Sequence, residues 1–121
     1  MLAPMDAAQA IGDLTEISPQ VQRVVALAAD GAILGSNFQT EAAAQRLADG
    51  AGRLLGAAEA MRPDLQQLEA ATVSGSVFVV RDGERTIAAT TTPEPTVGLV
   101  FYDLKTCLRS IDQPGADDAA A

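Results

Sequence analysis

The segment from Thr40 to Met61 constrains the fold more than any other part of this chain. Thr40 has the side chain of a helix N-cap, Glu41 follows where the helix dipole favours an acid, good helix formers fill the interior, and Pro63 enforces a stop. One long helix is predicted. Wound at about 100° per residue, Leu47, Ala51, Leu54, Leu55, Ala58 and Met61 fall on one side, as a stripe that packs on a sheet. Arg46, Asp49 and Arg53 point away from it. Between these faces Ala44, Ala48, Gly52, Gly56 and Ala60 repeat at i+4. A glycine inside a helix costs about 0.5–1 kcal/mol relative to alanine, so some gain should offset it. Small residues let another backbone approach. The row therefore reads as a helix-to-helix contact between two copies, as a close seat over the chain's own sheet, or as the scatter of an alanine-rich composition, and the residues alone leave these open.

The flanking segments supply the sheet and two further helices. Ala7, Ala10, Ile11, Leu14 and Ile17 recur at helical spacing, with Pro4 and Asp6 near the start and Ser18-Pro19 at the stop, which predicts a helix over roughly residues 4 to 17. Val21 to Ala28 and Ala32 to Ser36 are apolar runs joined by Asp30-Gly31, a β-hairpin in which Gly31 supplies the positive φ. Beyond Leu65 the period becomes that of strands. Leu68–Val73, Ser76–Val80 and Arg85–Thr92 read as a meander with turns at Ser74-Gly75 and Arg81–Glu84, stopped by Pro93-Glu94-Pro95. Thr96 is placed to cap a last helix with Leu99, Val100, Tyr102, Leu104, Leu108 and Ile111 as its apolar positions, although Val97 to Phe101 also reads as strand. The predicted order is α-β-β-α-β-β-β-α, an α/β (α+β) chain with one domain over 1–111. Residues 112–121, with Asp112, Asp117 and Asp118, are expected to form a disordered acidic tail.

Composition mainly excludes. At 121 residues the chain suits one core, and with 3% aromatics that core is aliphatic. Eight basic against sixteen acidic residues give a net charge of −8, a field that repels phosphates and argues against nucleic acid as partner. The cations are scattered, so no basic tract marks a membrane surface. No apolar run approaches the roughly 20 residues that span a bilayer, and no secretory leader pattern opens the chain. Cytoplasmic residence is the expectation.

Catalytic motifs are missing in the same way. With no histidine and one cysteine, neither imidazole-based catalysis nor the usual nitrogen and sulfur metal sites can be assembled, and no disulfide forms within the chain. No phosphate-binding loop is present, which leaves catalytic, cofactor and metal residues all at none; Gly50-Ala51-Gly52 lies inside the long helix rather than before it. Asp30 and Asp82 each precede a turn glycine and read as turn residues before they read as an acid–base pair. Cys107 sits between Leu104 and Leu108 and reads as a small buried hydrophobe. Arg46, Asp49 and Arg53 form the candidate contact for a partner, against the plainer reading of a solvated helix face.

Taken together, Val24–Ser36, the alanine-rich helix beginning at Thr40, and Leu68–Val80, in this order and spacing, resemble the roadblock / dynein light chain domain family over about residues 10 to 111. The resemblance implies a five-stranded antiparallel sheet with the long helix on one face and the terminal helices on the other. It implies a homodimer paired through the second helix and the first meander strand, with Ala48, Gly52, Gly56, Leu68, Ala70 and Thr72 at the interface. It also implies a non-catalytic regulatory platform for a small Ras-like GTPase, as in the bacterial gliding-motility GTPase-activating protein, or a structural adaptor subunit of a signalling or motility complex. Bacterial stand-alone members often accompany a small GTPase.

Overall fold

Asp6 opens the first helix: its carboxylate accepts the Gln9 amide at 2.8 Å, so the acid is the N-cap rather than a first-turn residue. The computed structural model describes residues 6–111; the expected contribution of Pro4 and the expected disordered tail, 112–121, lie outside the described residues. Helix α1 spans Ala7–Ile17 and strands β1 and β2 span Val21–Leu27 and Ile33–Ser36. Helix α2 covers Glu41–Met61, β3 Gln67–Thr72, β4 Gly75–Asp82, β5 Arg85–Thr91 and α3 Val97–Ser110. The order α-β-β-α-β-β-β-α matches the expectation. Thr40 caps α2 by accepting the Ala43 amide at 3.2 Å, and Gly31 turns the hairpin at φ +87°.

The five strands form one antiparallel sheet in the order β2-β1-β5-β4-β3. The first hairpin joins the meander through β1 and β5, which leaves β2 and β3 as the edges. Alternation along the central strands sends Val24, Ala26, Phe78, Val80, Ile87 and Ala89 to one face, under α1 and α3. Val25, Leu27, Val79 and Ala88 go to the other, under α2. Phe78 also meets Phe101 of α3 edge to face at 4.9 Å.

Several expectations need correction. Ile17 is 73% exposed, and Leu99 and Tyr102 also face solvent, because each terminal helix buries only the side it turns to the sheet. The segment from Val97 to Phe101 is helical, and Thr96 makes no side-chain cap; its amide instead donates to Gln20 Oε1. The β3–β4 turn is Val73-Ser74, one residue earlier than expected. Gly75 already belongs to β4, at φ +145°, where a Cβ would collide with the Thr91 carbonyl oxygen, and Thr72 Oγ1 donates to the Gly75 carbonyl at 2.6 Å.

Long-range polar contacts complete the frame. Val24 N–H donates to Asn37 Oδ1 at 2.8 Å and Asn37 Nδ2 donates to the Gln22 carbonyl at 2.9 Å, so this side chain continues the ladder where β2 has ended. Arg85 Nη2 donates to the Leu108 and Ile111 carbonyls and ties the end of α3 to the sheet.

Candidate functional site

The uncovered part of the sheet is its β3 edge, on the face that α2 occupies. Helix α2 packs mainly across β1, β5 and β2, and its buried residues are Ala44, Ala48, Ala51 and Leu55. That is a correction to the expected stripe. Leu47 and Ala58 are half-buried, while Leu54 is 37% and Met61 76% exposed. The helix is rotated because alanines, having no side chain beyond Cβ, allow its backbone to sit close to the strands, and the bulkier residues are carried to its flank.

That flank faces β3. Leu47 packs in the same apolar cluster as Leu68 of β3 and Val77 of β4, and a cleft of about 350 Å³ lies among Arg46, Leu47, Gly50, Leu54 and Val77. Leu68, Ala70 and Thr72, two residues apart, share the α2 side of β3; the first two are half-buried and Thr72 is exposed. The sheet edge and the α2 flank therefore form one apolar step open to solvent.

The small-residue row does not lie on this step. Ala44 and Ala48 are in the core, Ala48 being 6% exposed, which is the close seat over the chain's own sheet. Gly52 and Gly56 are exposed, with nothing within 4 Å of where a Cβ would stand. Gly52 borders a different cleft, of about 410 Å³, with Leu27, Arg81 and Gly83. Of the six residues expected at a dimer surface, the structure brings Leu68, Ala70 and Thr72 together and sets Gly52 and Gly56 on the other flank of α2.

Arg46, Asp49 and Arg53 are all exposed, and Arg46 and Arg53 border the cleft beside Leu47 and Leu54 rather than standing clear of it. Asp49 accepts a hydrogen bond from Gln45 at 2.9 Å, and neither arginine enters the salt bridges found among the described residues. Those are Arg81 with Glu59, bidentate at 2.6 and 3.0 Å, and Arg109 with Asp82 at 2.9 Å. The hydrogen bond from each arginine holds its carboxyl below the usual carboxylate range. Asp82 is thus more than the turn residue its sequence position implies. Asp30 is one, its carboxylate accepting the Ala32 amide at 3.0 Å.

Cys107 is buried, as expected, and desolvation, with a smaller contribution from Asp13, pushes its thiol up to about 12. At pH 8 its thiolate fraction is then about a thousandfold below that of a free cysteine. Labelling by a thiol-specific disulfide reagent should be slow in the native protein and immediate in denaturant; fast native labelling would contradict this burial. Among the described residues no group of acids and cysteine is arranged to hold a metal ion, and no helix is long and apolar enough to cross a membrane.

Comparison with known proteins places the fold. No protein-family model and no curated protein sequence matches the chain. Solved structures do. A roadblock/LC7 domain from Streptomyces avermitilis is 20% identical, with a TM-score of 0.73 over 89% of this chain and 94% of its own. MglB from Myxococcus xanthus is 14% identical at a TM-score of 0.66, over 91% of this chain and 90% of its own. A LokiProfilin1 structure in complex with rabbit actin is 14% identical at 0.62, over 88% and 96%. The chain has the roadblock/LC7 fold.

Proposed function

We propose that this chain is a non-catalytic homodimeric platform that binds a small Ras-like GTPase and modulates its nucleotide cycle. The observation that carries the dimer is the apolar step of Leu47, Leu54, Val77, Leu68 and Ala70 beside an unpaired strand edge. An open edge strand next to exposed apolar side chains is a template for a second strand, and a second copy of β3 would extend the sheet while burying both α2 flanks. The GTPase reading is supported by the likeness to Myxococcus xanthus MglB and by the exposed Arg46 and Arg53, which border the dimer step and would offer their charges along its margin to an acidic partner surface or a phosphate.

The test is a binding titration with a small Ras-like GTPase from the same genome, loaded in turn with GDP and with a non-hydrolysable GTP analogue. One state should bind at least about tenfold more tightly, since a partner shifts an equilibrium only by its differential affinity. Arg46→Glu with Arg53→Glu should weaken that complex by about tenfold or more while light scattering still reads a dimer, and monomers would assign the two arginines to the dimer instead. Equal affinity for the two states would sink the regulatory role. It would favour the second reading, an adaptor indifferent to nucleotide, which draws support from the similar fold seen in LokiProfilin1 bound to actin.

A further inference from the structure

The other side of the sheet carries a surface that this reading leaves unused. Helices α1 and α3 run antiparallel across it: the amide that opens α3, Thr96 N–H, bonds to Gln20 just beyond the end of α1, and the end of α3 is tied by Arg85 at the opposite end of the sheet. Between them lies a groove of about 220 Å³ whose floor is Ala10, Leu14 and Cys107. Ile17 forms one end of it and is mostly exposed. Leu99, also exposed, stands one turn before Asp103 on the same side of α3 and extends the apolar line.

The rim is charged, and with one sign. Asp13 lines the groove from α1 and Asp103 from α3, and neither carboxylate is in a salt bridge among the described residues. The two cations of α3 do not line the groove: Arg109 is held by Asp82 at the end of β4, and Lys105 lies near enough to the same carboxylate to help keep it ionised. An apolar floor between two helices, edged on both walls by unpaired acids, is complementary to one kind of occupant.

We infer that the α1–α3 groove docks an amphipathic helix of a partner protein, whose aliphatic side chains enter between Leu14, Ile17 and Cys107 and whose lysines or arginines meet Asp13 and Asp103. A third helix laid along two antiparallel ones repeats ordinary helix packing, with apolar anchors at i, i+3, i+4 and i+7. The charge requirement sets the polarity of the partner. The chain's own C-terminal segment is a poor occupant, since Asp112, Asp117 and Asp118 would be repelled by the rim. Because the groove lies across the sheet from α2 and is not part of the β3 step, it is available in monomer and dimer alike, and the inference does not rest on the GTPase reading.

The probe is a synthetic 18-residue helix of leucine and lysine with leucines at that spacing, titrated into the full chain and followed by amide chemical shifts. Shifts are expected along Asp13–Ile17 and Asp103–Ser110. A peptide of glutamate in place of lysine should bind at least about tenfold more weakly, and so should a lysine peptide with its leucines scrambled. Asp13→Lys with Asp103→Lys should weaken the leucine–lysine helix about tenfold, whereas Glu41→Lys with Glu84→Lys, equal in net charge, should leave it unchanged. Equal binding of the glutamate or the scrambled peptide would overturn the inference, as would shifts confined to α2 and β3. So would contacts in the free chain between the groove and Met1 to Met5, which would make the chain's own N-terminal segment the occupant.

Discussion

A Gly75→Ala chain is expected to lose more than about 3 kcal/mol of stability, the largest effect of any single methyl group added to this protein. Two costs coincide at this position. The backbone has φ +145°, which side-chain-bearing residues rarely adopt, and a Cβ there would stand inside contact distance of the Thr91 carbonyl oxygen. Neither partner can yield cheaply, because Thr91 is buried at the end of β5 and Thr92 N–H is bonded to the Gln20 carbonyl. Gly31→Ala is the matched control: φ is +87°, yet nothing lies within 4 Å of the added carbon, so only the conformational cost of about 1 kcal/mol applies. Urea unfolding of the two variants separates close approach from backbone strain. Equal midpoints would show that the contact with Thr91 has no energetic weight.

Leu54→Lys is expected to convert the proposed dimer to monomers and to raise its dissociation constant on the order of a hundredfold. Leu54 is already partly exposed in the protomer, and a lysine there can lay its stem along α2 with the ammonium in water, so the fold should survive. In a dimer paired along β3 the same position is brought against the partner's α2, where the charge has no ready partner and must be desolvated. Gly52→Leu asks a different question. Its side chain would project from the opposite flank into open space, and the dimer should persist. Light scattering over a dilution series reads both. Monomers from Gly52→Leu and dimers from Leu54→Lys would move the interface from the β3 step to the glycine row.

The contrast between those two substitutions marks what could be read along the chain and what could not. The long helix, its Thr40 cap, the Gly31 hairpin and the three-stranded meander follow from neighbours within a few positions, since caps, turns and periodicity are local properties. The burial of Cys107 between Leu104 and Leu108 was legible for the same reason. The rotation of α2 was not. Counting apolar residues around a helical wheel put Leu54 and Met61 on the sheet, while the packed molecule chose Ala44, Ala48, Ala51 and Leu55, because how near a helix can lie depends on the strands beneath it.

The same holds for polar partners. Arg81 finds Glu59 across 22 positions, Arg109 finds Asp82 across 27, and Asn37 replaces a missing strand for β1; no spacing rule in the sequence announces any of them. By itself, then, the sequence determined the elements and their order, and it shows a chain without histidine and without a phosphate-loop motif, all of which depend on residue type and short-range pattern. Only the tertiary structure decided that β3 would be an edge, that Leu54 rather than Gly52 would stand beside it, and that Asp13 and Asp103 would face each other across a groove. Those outcomes depend on which distant segments compete for the same buried surface, and that competition is settled only when the sheet and its two helical layers close together.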